Sequence, residues 1–208
     1  MMPWLLLAAA YFIGAFPTSY VVGKLTRGID LRQHGSGNLG ATNAYRVLGW
    51  KAAAPIFIID IFKGWLPVWL FPQLDGSNAL GWALAYGATA IVGHVFSIYV
   101  GFRGGKGVAT GAGVFLALAP LAVLAGLVVW TVLVFGTGYV SLGSVAAAAV
   151  LPIVVALTKA PQPILWLAIG LGTFVIYAHR ANMKRLVRGE EHRFRRGRDA
   201  TPAERSTT

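Results

Sequence analysis

The sequence has 208 residues, of which 56% are hydrophobic and 12% charged, and it contains no cysteine. A mean hydropathy of +0.65 is far above that of soluble domains, and the lack of cysteine excludes disulfides, iron–sulfur clusters and thiolate zinc sites. The formal net charge is +11, but the basic residues lie in short loops and a tail, which indicates anionic lipid headgroups and not nucleic acid as the partner.

The hydrophobic residues are concentrated in stretches that can cross a membrane as helices. In chain order these stretches are residues 4–24, 44–71, 79–100, 108–118, 120–135, 140–157 and 163–178. The first has no basic segment before it and no small-residue cleavage site after it, so we expect a retained helix and not a signal peptide. Clusters of turn-forming residues at 71–78 and 159–163 separate successive spans.

The stretch from 108 to 135 has two interpretations: one helix kinked at Pro120, or two short crossings that meet there. Two crossings place most basic loop residues and the arginine-rich C-terminus on one side of the membrane, as the positive-inside rule requires. We therefore predict an all-α polytopic protein with seven transmembrane helices, its N-terminus outside and its C-terminus cytoplasmic. Residues 1–194 form a single membrane-embedded domain, and we expect the basic polar tail 195–208 to be disordered.

The first polar segment that this topology places on the cytoplasmic side is GSGNLGATNAYR, residues 35–46. Its glycines permit the backbone angles and close approach of an anion-binding loop, and four side chains add hydroxyl and amide groups: Ser36, Asn38, Thr42 and Asn43. One of the last two can cap the helix that follows, and Arg46 offers a planar fork suited to phosphate. The alternative is a flexible, capped loop with an arginine at the lipid headgroups.

The second polar segment is FRGGKGVAT, residues 102–110. It lacks the GxxxxGK[ST] spacing and the preceding strand of a nucleotide-binding P-loop. The functional interpretation is an anion held by Arg103, Lys106 and backbone N–H groups of the glycines. The alternative is a positively charged turn at the cytoplasmic face.

The third polar segment is HRANMKRLVRGEE, residues 179–191. On a helix His179 and Asn182 share one face, whereas arginines and a lysine spaced by four form a basic face toward anionic lipid. His179 is either a catalytic base or an interfacial residue. Ser141 and Ser144, in the turn 136–144, either join the site or take part in helix packing.

Other polar residues lie inside or near the predicted spans. Asp60 and Lys63 are spaced i and i+3 within the second span, where unpaired charges are costly, so we expect a structural ion pair. His94 either satisfies a hydrogen bond in the core or lines the site. His34 and His192 are expected at the solvent side, so the sequence predicts no metal site and no cofactor.

Taken in this order, the polar segments resemble those of the bacterial glycerol-3-phosphate acyltransferases that use acyl phosphate. The matching strings are GSGNLGATNAYRVLG (35–49), GHVFSIYVGFRGGKGVAT (93–110), YVSLGS (139–144) and HRANMKRLVRGEEHRF (179–194). One departure is Ser97, where the family usually has Pro. It leaves open how the third span bends.

The resemblance implies a multi-pass enzyme of the bacterial inner membrane with its active site facing the cytoplasm. Its substrates would be acyl phosphate and glycerol 3-phosphate, its products lysophosphatidic acid and inorganic phosphate, and no obligate protein partner is evident. The residues that match the family's probable active-site positions are Ser36, Arg46, Lys106, Ser141, His179 and Asn182. Those that match loop and binding positions are Gly37, Asn38, Thr42, Asn43, Gly104, Gly105, Gly107, Gly189 and Glu191, to which we add Arg103.

The residues favour direct acyl transfer over a covalent acyl-enzyme. No Ser–His–Asp arrangement is evident, and no histidine is followed by the HxxxxD spacing. The base is either His179 or a phosphate oxygen of the substrate, and we favour the substrate oxygen because no acidic residue orients His179 at a recognisable spacing. The alternative function is a small phosphate-ester or anion transporter.

Overall fold

The computed structural model describes residues 2–194, and the predicted tail 195–208 lies outside this range. The described part is all-helical. Its α-helices are α1 Met2–Ala15, α2 Thr18–Arg27, α3 Ala41–Leu48, α4 Trp50–Leu74, α5 Leu80–Val95, α6 Val108–Leu118, α7 Pro120–Thr137, α8 Val140–Leu157, α9 Gln162–Ala178 and α10 Arg180–Val187. Short 3₁₀ turns follow α2 and α5, at Leu31–Gln33 and Ile98–Val100.

Within residues 2–194, four helical segments are long and apolar enough to cross a membrane: α4, α7, α8 and α5 with the turn that follows it. The pairs α1–α2 and α9–α10 meet the same criterion together but bend by 40° and 52° at short breaks. The apolar helix α6 has only 11 residues and ends where α7 begins with Pro120. The two short helices expected around Pro120 are thus present.

Two predicted spans are interrupted. The expected continuous helix 4–24 breaks between Ala15 and Thr18, because Pro17 supplies no N–H to continue the helix. The expected span 44–71 is two helices, since Gly49 adopts a left-handed φ of 84° between α3 and α4. The spanning helix therefore begins at Trp50 and continues past Pro72 to Leu74, so the predicted turn at 71–78 starts only at Asp75.

Close helix contacts pass through glycines. A Cβ on Gly64 of α4 would lie 2.1 Å from the carbonyl oxygen of Thr110 in α6, and one on Gly14 of α1 would lie 2.1 Å from that of Ala90 in α5. Neither position accommodates a larger residue without moving backbone. Small residues at helix crossings are the usual means by which membrane helices approach closely, and here they hold α6 against α4 beneath the second polar segment.

The predicted ion pair within α4 is confirmed. The Lys63 Nζ lies 2.7 Å from Asp60 Oδ1, and both side chains are buried. The Thr18 hydroxyl donates to the same carboxylate oxygen, and Lys63 also donates to the Phe16 carbonyl at 2.9 Å. The pairing compensates the two buried charges. Because Phe16 lies at the break between α1 and α2, the hydrogen bond from Lys63 to its carbonyl also stabilises the bend.

The end of α5 is bent although Ser97 replaces the family's usual Pro. The helix ends at Val95, and Ser97 adopts φ −70° before the 3₁₀ turn, an angle that Pro also adopts. Its buried hydroxyl donates to the Ala15 carbonyl at the end of α1. The bend is therefore anchored by a side-chain hydrogen bond at this position.

Candidate active site

The polar segments converge on one cavity of about 380 Å³. Its walls come from the 35–46 segment, from Lys106 and the start of α6, from α4, α5, α7, α8, α9 and α10, and from Glu191. All six side chains predicted to be catalytic line it: Ser36, Arg46, Lys106, Ser141, His179 and Asn182. Residues separated by more than a hundred positions in the chain thus share one site.

The glycine-rich loop before α3 is fixed by Asn43. The side-chain oxygen of Asn43 accepts the Ser36 N–H at 2.8 Å, and its amide donates to the carbonyls of Leu31 and His34. Gly35 has a left-handed φ of 61°, and a Cβ there would lie 2.3 Å from the Asn43 oxygen. Asn43 therefore lines the cavity mainly as the residue that shapes the loop, leaving the Ser36 hydroxyl exposed toward incoming ligand.

The helix that follows this loop begins without a side-chain cap. Its first residue is Ala41 and its N-cap is Gly40, so the expected cap at Thr42 or Asn43 is wrong. Both residues lie within the first helical turn, because the chain enters the helix two residues earlier than the sequence suggested. Thr42 nevertheless lines the cavity, as does Asn38.

Arg46 lies on α3 at the cavity wall. Its guanidinium makes no hydrogen bond or ion pair with residues 2–194, although its pKa is lowered, first by burial and then by nearby Arg185 against the opposing effect of Glu191. An arginine remains charged under these conditions. Its planar donors are therefore available for an anionic ligand.

A chain of hydrogen bonds crosses the charged end of the cavity. Lys106 donates to the Asn182 side-chain oxygen, the Asn182 amide donates to Glu191 at 2.7 Å, and Arg185 donates to the other Glu191 oxygen at 2.8 Å. Asn182 and Glu191 are both buried. The sequence did not indicate that Glu191 would accept hydrogen bonds from both Asn182 and Arg185.

The ionisation of these residues follows from their surroundings. Burial lowers the pKa of Lys106 to about 8, with Arg185 and Arg46 acting in the same direction and Glu191 opposing them. Burial raises the pKa of Glu191, but hydrogen bonds from Asn182 and Arg185 and the nearby Ser141 hydroxyl outweigh it, and the pKa is lowered overall. At neutral pH the site therefore carries charged Arg46, Lys106 and Glu191.

His179 lies at the junction of α9 and α10 and is buried. Its Nδ1 donates to the Val175 carbonyl at 2.8 Å, which leaves Nε2 as the acceptor nitrogen of the neutral ring. Burial and the charge of Lys106 lower its pKa to about 4, against the effects of the Val175 hydrogen bond and Glu191. The ring is neutral at pH 7 and is a weak base.

Ser141, at the start of α8, is buried at the cavity wall. Its hydroxyl makes no hydrogen bond within the described part of the chain, whereas the hydroxyl of Ser144 one turn later donates to the Val140 carbonyl. Buried hydroxyls without a partner are uncommon. The Ser141 hydroxyl lies beside Glu191, whose pKa it lowers, and is near enough to the cavity to reach a ligand, while Ser144 is already satisfied.

The glycines of the second polar segment act differently from the prediction. The N–H of Gly104 donates to the Val95 carbonyl at 2.9 Å and that of Gly105 to the His94 carbonyl at 3.1 Å. These N–H groups donate to the last carbonyls of α5, which have no partner within the helix, and they are not directed at an anion. The prediction that backbone N–H groups at these two positions bind an anion is therefore wrong. Gly107 does line the cavity.

Several predicted binding residues lie away from the cavity wall: Gly37, Arg103, Gly104, Gly105 and Gly189. Arg103 is exposed in the loop. Gly189 has a left-handed φ of 72° after α10, and this turn returns the chain so that Glu191 enters the cavity. Its contribution is therefore conformational.

The sequence did not indicate that residues after Glu191 pack against two other parts of the chain. The Phe194 ring stacks on Tyr45 with centroids 4.6 Å apart, and the Phe194 N–H donates to the Gly138 carbonyl. Arg193 donates to the Tyr139 hydroxyl at 3.1 Å. The segment 191–194 thus joins α3 to the turn between α7 and α8.

The cavity also continues into the helix bundle as an apolar groove, which the sequence did not predict. Its polar residues there are Asp60 and His94 near the second segment, and the rest of the wall is formed by small and aliphatic residues of α6 to α9. Phe57 and Leu127 line it and are also exposed, so the groove opens laterally toward lipid. The site therefore combines a charged end with an apolar one.

Comparisons of this sequence with known proteins point to one family. A family model described as glycerol-3-phosphate acyltransferase matches residues 4–189. A protein of that name from Syntrophotalea carbinolica is 43% identical over 194 residues, covering 92% of this chain and 97% of the relative. Another from Trichlorobacter lovleyi is 45% identical over 190 residues, covering 91% and 96%.

Solved structures are similar in fold as well. The glycerol 3-phosphate form of PlsY, an integral membrane glycerol 3-phosphate acyltransferase, is 34% identical, covers 100% of both chains and gives a TM-score of 0.87. The lysophosphatidic acid form of PlsY is 35% identical, covers 93% of this chain and 95% of that one, and gives a TM-score of 0.84.

Proposed function

Since this chain belongs to the glycerol-3-phosphate acyltransferase family, we propose that its cavity acylates glycerol 3-phosphate with an acyl phosphate as the donor. The protein is an integral membrane acyltransferase, and its product is lysophosphatidic acid. The 1-hydroxyl oxygen of glycerol 3-phosphate forms a bond to the acyl carbonyl carbon. The bond between that carbon and the phosphate oxygen breaks, and the hydroxyl proton leaves with inorganic phosphate.

The charges at the cytoplasmic end of the cavity support two phosphate-bearing substrates. Arg46 has free donors, and Lys106 is held toward the cavity by Asn182. Both residues bind the phosphates, and both stabilise the negative charge that develops on the departing phosphate. Holding both substrates by their phosphates brings the hydroxyl next to the carbonyl.

The weak basicity of His179 supports an acyl phosphate as the donor. Its pKa of about 4 makes the ring a poor proton acceptor at neutral pH, so we assign the hydroxyl proton to an oxygen of the departing phosphate. An acyl phosphate carries both the activated carbonyl and such an oxygen. His179 then orients the hydroxyl through Nε2, while Ser36 and Ser141 donate to the developing oxyanion.

The observation that carries this proposal is the convergence of Arg46, Lys106 and the buried Ser141 hydroxyl at the charged end of an apolar groove. The test is product formation by purified protein given palmitoyl phosphate and labelled glycerol 3-phosphate. We expect labelled lysophosphatidic acid, and no product with palmitoyl-coenzyme A. Product only from the thioester would refute the proposed donor.

A matched pair of arginine variants tests the assignment of the site. Arg46→Ala removes free donors at the cavity wall, whereas Arg103→Ala removes an exposed arginine outside it. We expect Arg46→Ala to be nearly inactive, with a loss of at least about a hundredfold, and Arg103→Ala to keep wild-type turnover. Unchanged turnover in Arg46→Ala would contradict the assignment.

We also propose that the chain crosses a bacterial inner membrane seven times, with the cavity's charged end toward the cytoplasm. Seven crossings follow if each bent pair is one crossing and α6 is another. The basic residues near the cavity then face the cytoplasm, and Lys159 faces outside. Because the chain has no cysteine, Arg103→Cys and Lys159→Cys can be labelled selectively. We expect an impermeant maleimide to label only Lys159→Cys in intact cells; the reverse pattern would invert the topology.

The transporter alternative does not fit the shape of the cavity. The apolar part of the lining includes Ala122, Leu151, Leu171 and Val175, which belong to a packed apolar cluster. A transport route needs a polar path across the midplane. The cavity therefore fits a substrate with one polar end and one apolar end better than a permeating anion.

A further inference from the structure

The last four described residues, 191–194, form a short segment that we call the strap. It follows the left-handed turn at Gly189 and begins with Glu191, which accepts a hydrogen bond from the Asn182 amide at 2.7 Å. Asn182 in turn accepts a hydrogen bond from Lys106. The first residue of the strap is therefore connected to both the second and the third polar segments.

Arg193 attaches the strap to the turn between α7 and α8. Its Nε donates to the Tyr139 hydroxyl at 3.1 Å, and its guanidinium carbon lies 5.3 Å from the centroid of the same ring, within the range of a cation–π contact. A Cβ on Gly138 would lie 3.6 Å from the Arg193 Cβ. Arg193 therefore packs along the turn that leads directly into Ser141.

Phe194 attaches the strap to α3 as well as to this turn. Its ring stacks on Tyr45, with centroids 4.6 Å apart and ring planes 20° apart, and its N–H donates to the Gly138 carbonyl at 2.6 Å. Stacked aromatic pairs contribute more than the burial of their area alone. Since Tyr45 directly precedes Arg46, Phe194 links the helix that carries Arg46 to the turn before Ser141.

This bridge joins parts of the fold that otherwise pack on different neighbours. Helix α3 packs mainly on α4, whereas α8 packs mainly on α7 and α9. The cations of the site also repel one another, since Arg46 acts to lower the pKa of Lys106. Such repulsion is strong where water is largely excluded. A cohesive contact is therefore needed to keep α3 close to the rest of the site until an anion binds.

From these contacts, and on the basis of the acyltransferase function proposed above, we propose that Arg193 and Phe194 are positioning residues that hold Arg46 and Ser141 in one arrangement before substrate binds. Neither residue lines the cavity, so both act through Tyr139 and α3. If only the organised fraction of the protein binds substrate, loosening the strap raises the KM for glycerol 3-phosphate. Saturating substrate selects the organised state again, and kcat is retained.

Variants of Phe194 test the aromatic contact. We expect Phe194→Ala to raise the KM for glycerol 3-phosphate at least about fivefold while kcat stays within about twofold, and Phe194→Tyr, which keeps a stacking ring, to resemble the wild type. His192→Ala is the matched control, because His192 lies in the same segment but is exposed. A purely structural role would instead reduce the amount of active protein, and hence the apparent kcat, without changing KM.

A disulfide between Gly138→Cys and Arg193→Cys tests whether an anchor at this point suffices. The chain has no cysteine, and the 3.6 Å between the two Cβ positions suits a disulfide. The reduced double variant lacks the contacts of Arg193 with Tyr139, so its KM should rise at least about threefold, and oxidation should restore it. Gly138→Cys alone controls for the strain of cysteine at a φ of 81° and should not respond to oxidation.

The outcomes separate the strap from the chemistry. An unchanged KM in both Phe194→Ala and the reduced cysteine pair would overturn the proposal, as would a loss confined to kcat. A loss of turnover on oxidation that reductant reverses would show that the strap has to open during catalysis, and would also overturn it. Equilibrium binding of labelled glycerol 3-phosphate needs no donor and should show the same shifts in Kd. A wild-type protein that binds glycerol 3-phosphate but forms no product from palmitoyl phosphate would refute only the proposed donor.

Discussion

The ionisation of Lys106 predicts where enzyme activity is lost as pH rises. The Lys106 ammonium is buried beside Arg46 and Arg185, and its pKa is about 8. If the protonated form is the one that binds phosphate, its fraction is about nine-tenths at pH 7 and about one-tenth at pH 9. Because kcat/KM reports the free enzyme, we expect kcat/KM for glycerol 3-phosphate to fall roughly tenfold between these pH values.

The sign of the effect is set by the charge that is lost. Arg46 stays protonated throughout this range, and both Glu191 and the substrate phosphates are already ionised, so deprotonation of Lys106 is the change that removes a positive charge. Glu191 raises the Lys106 pKa, and Glu191→Gln should therefore move the alkaline limb to lower pH.

The assay is initial-rate labelling of lysophosphatidic acid from pH 6.5 to about 9.5, after subtraction of the non-enzymatic hydrolysis of the donor. Lys106→Arg is the control variant, because arginine does not titrate in this range, and whatever activity it retains should show no alkaline limb. A wild-type profile that stays flat to the highest pH would refute the reasoning, as would a limb that persists in Lys106→Arg.

Three further variants test individual contacts. His179→Ala should lower kcat by less than about a hundredfold, which is the low end of the effect of removing a positioned general base. The reason is that a ring with this pKa orients the hydroxyl more than it removes the hydroxyl proton. A complete loss of product formation in single-turnover kinetics would contradict this expectation. Asp60→Ala should destabilise the protein by about 3–5 kcal/mol, since it leaves the Lys63 ammonium buried without its carboxylate. The double variant Asp60→Ala with Lys63→Met should recover most of this lost stability, as measured by thermal unfolding in detergent. Ser97→Pro should change the free energy of unfolding by no more than about 1 kcal/mol, as the lost hydrogen bond to Ala15 is offset by a stiffer unfolded chain, whereas Ser97→Ala should show the full loss.

The residues at the charged end of the site could be predicted because each of them lies in a polar segment that can be recognised on its own in the sequence. Each polar segment is short, contains glycine, and adjoins apolar stretches, so the positive-inside rule alone places the segments at one membrane face. The match of these segments to the family's motifs then identified Arg46, Lys106, His179 and Asn182 as candidate site residues. Their hydrogen-bond partners could not be predicted in this way, because Glu191 reaches the site only through the left-handed turn at Gly189.

The parts that could not be predicted depend on contacts between distant helices. The sequence contains Pro17 and Gly49, but continuous hydrophobicity around them favoured unbroken spans. The N–H groups of Gly104 and Gly105 bond to α5, which requires knowing how that helix ends. The groove is formed by alanine, glycine and leucine residues that individually resemble any membrane helix interior, so only the facing of α7 and α8 distinguishes it.

Under the proposed function, the positive charge that would bind the substrates also accounts for the weak basicity of His179. Burial near Lys106 lowers the pKa of His179 to about 4, so a histidine placed where it can reach the reacting hydroxyl loses basicity for the same reason that the site attracts phosphate. A carboxylate strong enough to replace it would neutralise the cations that hold the substrates; Glu191 is instead bound by Asn182 and Arg185. In the proposed reaction the departing phosphate takes the proton, because negative charge grows on its oxygen as the bond to the carbonyl carbon breaks. A donor that brings its own phosphate to the carbonyl therefore supplies the proton acceptor that this arrangement of residues lacks.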